Sequence, residues 1–227
     1  MSDSSVDRPS PPEVPYFSQW ESAALAPALI AGVAGLADDP HWAVSGARSL
    51  AEYVAWADHV CGMACLKMVL AARIGRVVPT LELARGARHY GAYTVDGGAI
   101  KGLIYAPFTT FLAREFSLRA QVVTGIGARE LPRTLERAEF FMASVHPSIR
   151  RPQMPPPAKG GHLVLVTAAD HNGVIFHNPS GHGAASRVGV HLSLTTFEKF
   201  FAGRGVAILP SAWAGASHAD GVPSKVL

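Results

Sequence analysis

A thiol is a strong nucleophile only as the thiolate, and two features lower its pKa: the N-terminus of a helix and a nearby imidazolium. Cys61 stands where the first is offered. The polar run Asp58-His59 gives way to Cys61-Gly62-Met63-Ala64-Cys65-Leu66-Lys67-Met68-Val69-Leu70, whose apolar residues recur at helical spacing. Gly62 carries no side chain to block the approach of a substrate backbone. Downstream, Gly160-Gly161-His162 opens the apolar run Leu163-Val164-Leu165-Val166. A catalytic base must be held rigidly within hydrogen-bond reach of its nucleophile, and a histidine at the mouth of a core-anchored strand, reached through glycines, is so held. Each residue also has an ordinary role open to it: a free cysteine is commonly a small core residue, and a strand-end histidine commonly faces water.

Asn178 ends the next strand-like run, Val174 to His177. A turn between the two runs returns residues 162 and 178 to the same end of a hairpin. They share a face if the loop is odd, three or five residues centred on Asp170, whereas a two-residue loop puts them on opposite faces. On one face, the Asn178 amide accepts the imidazole N–H and fixes its tautomer. The ordinary alternative is turn chemistry, which Asn178-Pro179-Ser180-Gly181 supplies in any protein. Upstream, the amide of Gln19 is a possible donor to a developing oxyanion beside the Cys61 N–H.

The elements that must position these groups run as follows. Val14 to Gln19 reads as extended. The alanine-rich stretch Glu21 to Ala37 and the shorter Ser49 to Trp56 read as helices. Cys61 begins a helix to about Arg73, ended by Gly75, and Thr80 caps another through about Ala87. A helix over Phe108 to Phe116 precedes a strand over Arg119 to Val123. The C-terminal half is strand-rich: Phe140 to Val145, His162 to Ala168, Val174 to His177 and Val206 to Leu209, with a short helix over Thr196 to Phe201. Helices first and an antiparallel sheet after make the class α+β. Residues 1–13 and 211–227 read as tails around a single domain over 14–210. Asp96 to Ala106 and the proline-rich Pro147 to Lys159 are the segments best placed to line or cover a cleft.

Composition excludes several classes. The chain has 227 residues, 48% hydrophobic and 16% charged, enough for one full core. A formal charge of +3 with scattered basic residues gives no nucleic-acid stripe. Two cysteines four apart make no disulfide framework. No cofactor or metal is expected: five histidines between 162 and 191 are dense but lack His-x-x-x-His spacing, and no Cys-x-x-Cys occurs. Gly97-Gly98 and the Gly125/Gly127 pair lack phosphate-loop context. No signal pattern or spanning segment is visible, so the expected setting is cytoplasmic, with no membrane and no nucleic acid as partner.

The segments Val14-Pro15-Tyr16-Phe17-Ser18-Gln19, Cys61 to Leu70, Gly161 to Val166 and His177-Asn178-Pro179, taken in that order, resemble the bacteriocin-processing cysteine peptidase family of the papain-like clan and its stand-alone relatives. The resemblance covers roughly residues 14 to 210. It implies a papain-like fold with the nucleophile helix packed on an antiparallel sheet. It also implies Cys61 as nucleophile, His162 as base, Asn178 as orienting residue and Gln19 as oxyanion donor. Three departures stand out: a long Gln19–Cys61 spacing, Asn178 where relatives carry Asp, and Met63 and Cys65 in place of Pro and Ser. The transporter-linked members carry membrane and ATPase domains that this sequence lacks, so cleavage of a double-glycine leader does not follow.

The implied activity is hydrolysis of a peptide or amide bond through a Cys61 thioester. The same thioester serves an acyl or peptidyl transferase acting on a precursor peptide or a carrier-bound acyl group. A peptide-binding module without turnover is the third possibility, against which the intact set of Gln, Cys, His and Asn argues.

Overall fold

The computed structural model describes residues 13–210. The expected tails lie outside them, Glu13 excepted. Seven α-helices are present among the described residues: α1 (Ala26–Ala31), α2 (Leu50–Trp56), α3 (Cys61–Ile74), α4 (Thr80–His89), α5 (Tyr105–Phe116), α6 (Leu131–Leu135) and α7 (Leu194–Phe200). Strands β1 (Thr94–Asp96) and β2 (Ala99–Lys101) form a small hairpin. Six more, β3 (Ala120–Thr124), β4 (Phe140–Val145), β5 (His162–Ala169), β6 (Val174–His177), β7 (Val190–Leu192) and β8 (Phe201–Ile208), form one antiparallel sheet in the order β3-β8-β4-β5-β6-β7. Helices dominate the first half and the sheet the second, the expected α+β arrangement.

The sheet separates two apolar cores by the two-residue alternation of its strands. Phe140, Met142, Leu163, Leu165, Val206 and Ile208 face α3, α4 and α5. Phe141, Val145, Val164, Val166, Phe176 and Ala207 face the other way, against Leu131 of α6 and Phe197 and Phe200 of α7. Helix α3 packs on β5 and α4 and is buried from Gly62 through Leu70. A helix apolar almost all round belongs inside a protein, and this run is one, with Lys67 its single charge. Gly75 ends it in the left-handed conformation, φ 65°, where a glycine is needed.

Two expectations change. The helix expected over Glu21 to Ala37 shrinks to α1 with 3₁₀ turns on either side; Gly32, at φ 70°, caps it after two turns. Thr80 does not cap α4. Pro79 takes that position, and the buried Thr80 hydroxyl donates to Glu21 Oε1 (3.1 Å) and accepts from Lys67 Nζ (3.4 Å). Glu21 and Lys67 form an ion pair at 3.7 Å with both side chains under a tenth exposed, and Lys67 also lies 4.9 Å over the Phe17 ring. Residues 17 and 21 are thereby fixed to the central helix, with Gln19 between them. Among the described residues no single helix is long and apolar enough to cross a membrane.

Candidate active site

Cys61 is the first residue of α3, so its side chain sits beside helix N–H groups that have no intrahelical acceptor. It opens onto a cavity of about 330 Å³ lined also by Gly102, Leu103, Tyr105, Ser144, Gly161, His162, Leu163 and Arg204. Gly62 next to it is not a gap left for substrate. A Cβ there would stand 2.9 Å from Leu103 Cδ2 and 3.0 Å from Leu163 Cδ1, so the glycine admits these two leucines against the helix. Of the two segments expected near the cleft, the first supplies cavity wall at Gly102, Leu103 and Tyr105. The second contributes Arg150, behind His162.

His162 starts β5 after Gly160 and Gly161, whose φ angles of 85° and 92° suit glycine alone. Its ring is 6% exposed, and Nε2 lies 2.8 Å from Asn178 Oδ1 and 3.0 Å from Ser180 Oγ. The Asn178 amide has one workable orientation, because the Ser180 N–H donates to the same Oδ1 at 3.1 Å. Nε2 must then carry the proton it gives to Oδ1, which leaves Nδ1 with the free lone pair. The Ser180 hydroxyl also donates to Oδ1 (3.3 Å) and accepts from Arg150 Nη2 (3.1 Å), and Arg150 is itself tied to Pro147 O at 2.8 Å. Arg150, Ser180, Asn178 and His162 thus form one continuous hydrogen-bonded chain.

The hairpin that joins His162 to Asn178 meets the parity condition in an unexpected way. The loop is Asp170 to Gly173, an even four residues, closed by the Asp170 N–H to Gly173 O and by the Asp170 carboxylate on two backbone amides. Alone it would set residues 162 and 178 on opposite faces. An extra residue in β5, between Val166 paired with Phe176 and Ala168 paired with Ile175, shifts the register by one and restores the shared face. Continued past His177, that register brings Ser180 opposite His162.

Gln19 is buried, but it is not part of the cavity wall formed by Cys61 and His162. Its Nε2 donates to Ala57 O at 3.3 Å, in the turn just before Cys61, and its Oε1 is buried without a partner. The strand-like segment around it straps the two sides together. The Gln19 N–H and the Ser18 hydroxyl donate to Pro179 O (2.9 and 3.1 Å), the Tyr16 hydroxyl donates to Asn178 O (3.1 Å), and Trp20 Nε1 donates to Asp58 Oδ1 (2.8 Å).

The electrostatics depart from the expectation of an activated thiolate. Burial pushes the Cys61 thiol up, against the backbone N–H groups of Leu163, Gly62 and Cys61 that pull it down. Burial also pushes His162 down to about 4, helped by the positive fields of Arg150 and His146 and opposed by the Asn178 hydrogen bond. Desolvation outweighs the helix N-terminus here, and both groups rest neutral at neutral pH. No hydrogen bond joins them among the described residues; such bonds often tighten only in the complex with substrate. Cys65, one turn on, points its thiol at Leu163 O (3.7 Å) and is held far above the usual thiol range by burial, as suits a core residue.

Ser180, Arg150, Ser144 and Arg204 were not among the expected site residues. Ser180 had a signal, its place two residues after Asn178 in an Asx-type turn. Ser144 on β4 and Arg204 on β8 reach the site through sheet pairing, and Arg150 reaches it from the 3₁₀ turn Pro147–Arg150 through its bond to Ser180. Among the described residues no group of three or more His, Cys, Asp or Glu could hold a metal ion.

No family model and no curated protein matches the chain. Among the solved structures that resemble it are two peptidases. The peptidase domain of Streptococcus ComA, a bi-functional ABC transporter involved in a quorum-sensing pathway, aligns at 16% identity and TM-score 0.46 over 67% of this chain and 92% of that one. A C39-like peptidase from Bacillus anthracis aligns at 13% identity and TM-score 0.48 over 67% of this chain and 90% of that one.

Proposed function

We propose that this chain is a papain-like cysteine peptidase or amide hydrolase. Supporting it is one observation above the others: His162, held through Nε2 by Asn178 at 2.8 Å, leaves Nδ1 as its only basic nitrogen and shares a cavity with Cys61 at a helix N-terminus. In this scheme Nδ1 removes the Cys61 proton as the sulfur attacks the substrate carbonyl. The resulting imidazolium is stabilised in place by the Asn178 acceptor and returns the proton to the leaving amine. Water, activated by the same nitrogen, then resolves the thioester. A neutral resting pair suits this order, since charge then appears only as the bond forms. The Cys61 N–H is the proposed oxyanion donor, and Gln19, bound to Pro179 O and Ala57 O outside the cavity wall, is proposed to hold the turn that presents it.

The test is trapping of the acyl-enzyme. N-acetylglycine p-nitrophenyl ester, mixed with the protein, should release a burst of p-nitrophenol equal to the protein and add one acetylglycyl group at Cys61 by mass. The burst should vanish in Cys61→Ser and slow by about a hundredfold in His162→Ala. Acylation elsewhere, or at the same rate without His162, contradicts the proposal. Added glycinamide reports whether an amine competes with water for the thioester.

A further inference from the structure

The cavity wall contains one permanently charged side chain, Arg204. It lies on β8 with the parity of Val206 and Ile208, the face that packs on α3, and lines the cavity where those two line the core. Its Nη2 is 3.5 Å from the point a Gly160 Cβ would occupy, and Ser144 Oγ is 3.3 Å from the same point. Guanidinium and hydroxyl therefore converge over the glycine turn that delivers His162.

Neither group is committed elsewhere. Among the described residues Arg204 and the Ser144 hydroxyl make no hydrogen bond or ion pair, whereas the neighbouring cations are taken. Arg150 is held by Pro147 O and Ser180, Arg187 by Gly181 O and Ala23 O, and Lys159 by Glu198 at 2.8 Å. Glu198 is engaged a second time by the Ala128 N–H. No acidic residue lines the cavity to compete for the guanidinium. A planar fork of donors facing an otherwise neutral cavity, with a hydroxyl beside it, matches a carboxylate in charge and geometry.

We propose that Arg204, assisted by Ser144, selects substrates that place a carboxylate near the scissile carbonyl. This rests on Cys61 and His162 as the reacting pair. The carboxylate is either the free terminus of a short peptide or an acidic side chain next to the bond, and the two sources need separate probes.

Alkylation of Cys61 supplies them. Chloroacetyl-glycine is compared with chloroacetyl-glycinamide for a terminal carboxylate, and chloroacetyl-aspartic α-amide with chloroacetyl-asparagine amide for a side chain. Rates are read by intact mass at low salt. At least one carboxylate probe should label the wild type roughly fivefold faster than its neutral twin, the size of a partly exposed ion pair. That preference should disappear in Arg204→Met, persist in part in Arg204→Lys, and weaken in Ser144→Ala. Equal rates within both pairs, or a preference that survives Arg204→Met, overturn the inference. If the thiol reacts with none of the probes, the catalytic proposal is what has failed. The inference is then read from binding in Cys61→Ser by NMR titration with acetyl-glycine and acetyl-glycinamide. Carboxylate-specific shifts that Arg204→Met removes support it, and their absence overturns it.

Discussion

Burial of His162 makes a quantitative demand on stability. Its imidazole is 6% exposed and titrates at about 4, against an ordinary 6.5. Between those two pH values the unfolded chain binds a proton that the folded chain refuses, so folding stability falls as pH falls across the window. The contribution is fully present above 6.5 and lost as pH drops through 4. At about 1.4 kcal/mol per pH unit the whole difference is about 3 kcal/mol. Other groups titrate nearby. Glu21 is raised by burial and Asp39 is lowered by its hydrogen bonds to Ser22 and Tyr53, so the measurement must be a difference. Urea unfolding of the wild type and His162→Gln, at half-unit steps from pH 4 to 7.5, isolates the histidine. The wild-type curve should fall more steeply than the variant's toward low pH, by up to about 3 kcal/mol over the window. Parallel curves would mean that His162 is solvated or already charged, and the account of a neutral, desolvated imidazole would be wrong.

Other perturbations have distinct signatures. Ser180→Ala removes the hydroxyl between Arg150 and His162; it should cost about 1 kcal/mol of stability and lower the acylation rate without touching either reacting atom. Lys67→Met leaves Glu21 buried beside Thr80 without its cation, so the unfolding free energy from urea titration should drop by about 3 kcal/mol, and the double variant E21Q/K67M should recover most of the loss. Two glycine substitutions should differ sharply in thermal melts. A Cβ at Gly205 would stand 2.2 Å from the backbone Met142 O, which cannot yield, so Gly205→Ala should be the more damaging. In Gly62→Ala the obstacles are the ends of the Leu103 and Leu163 side chains, which can move for about 1 kcal/mol.

What the sequence makes legible is local. Cys61 at a helix start and His162 after two glycines are each written within a few residues, and both elements lie where the pattern puts them. Phe140 to Val145 is likewise read off directly. The pairing of His162 with Asn178 is a different matter. The parity argument is sound, but the structure satisfies it with an even loop and a bulge near Thr167, and bulges leave little trace in sequence. The alanine-rich stretch Glu21 to Ala37 does not hold one helix because Gly32 ends α1 and Gly35 starts a separate 3₁₀ turn. The β8 strand runs from Phe201 rather than Val206 because Gly203 and Gly205, which weaken a strand in isolation, are held there by close packing on β4 and on Ile126. Arg204 and Ser144 escape a sequence reading altogether, since only the β4–β8 pairing brings them beside Cys61. The burial that raises the Cys61 thiol escapes it for a related reason: helix position is visible in sequence, whereas burial is a property of the assembled site.

The central claim is that the Cys61 thiol and the His162 imidazole act as one unit, and alkylation tests it most directly. Wild type, Cys61→Ser, Cys65→Ser and His162→Ala are treated briefly with iodoacetamide near neutral pH and read by intact mass. The account predicts a single adduct, at Cys61, present in wild type and Cys65→Ser, absent from Cys61→Ser, and formed at least about tenfold more slowly in His162→Ala. Labelling of Cys61 at the same rate with or without His162 would contradict it.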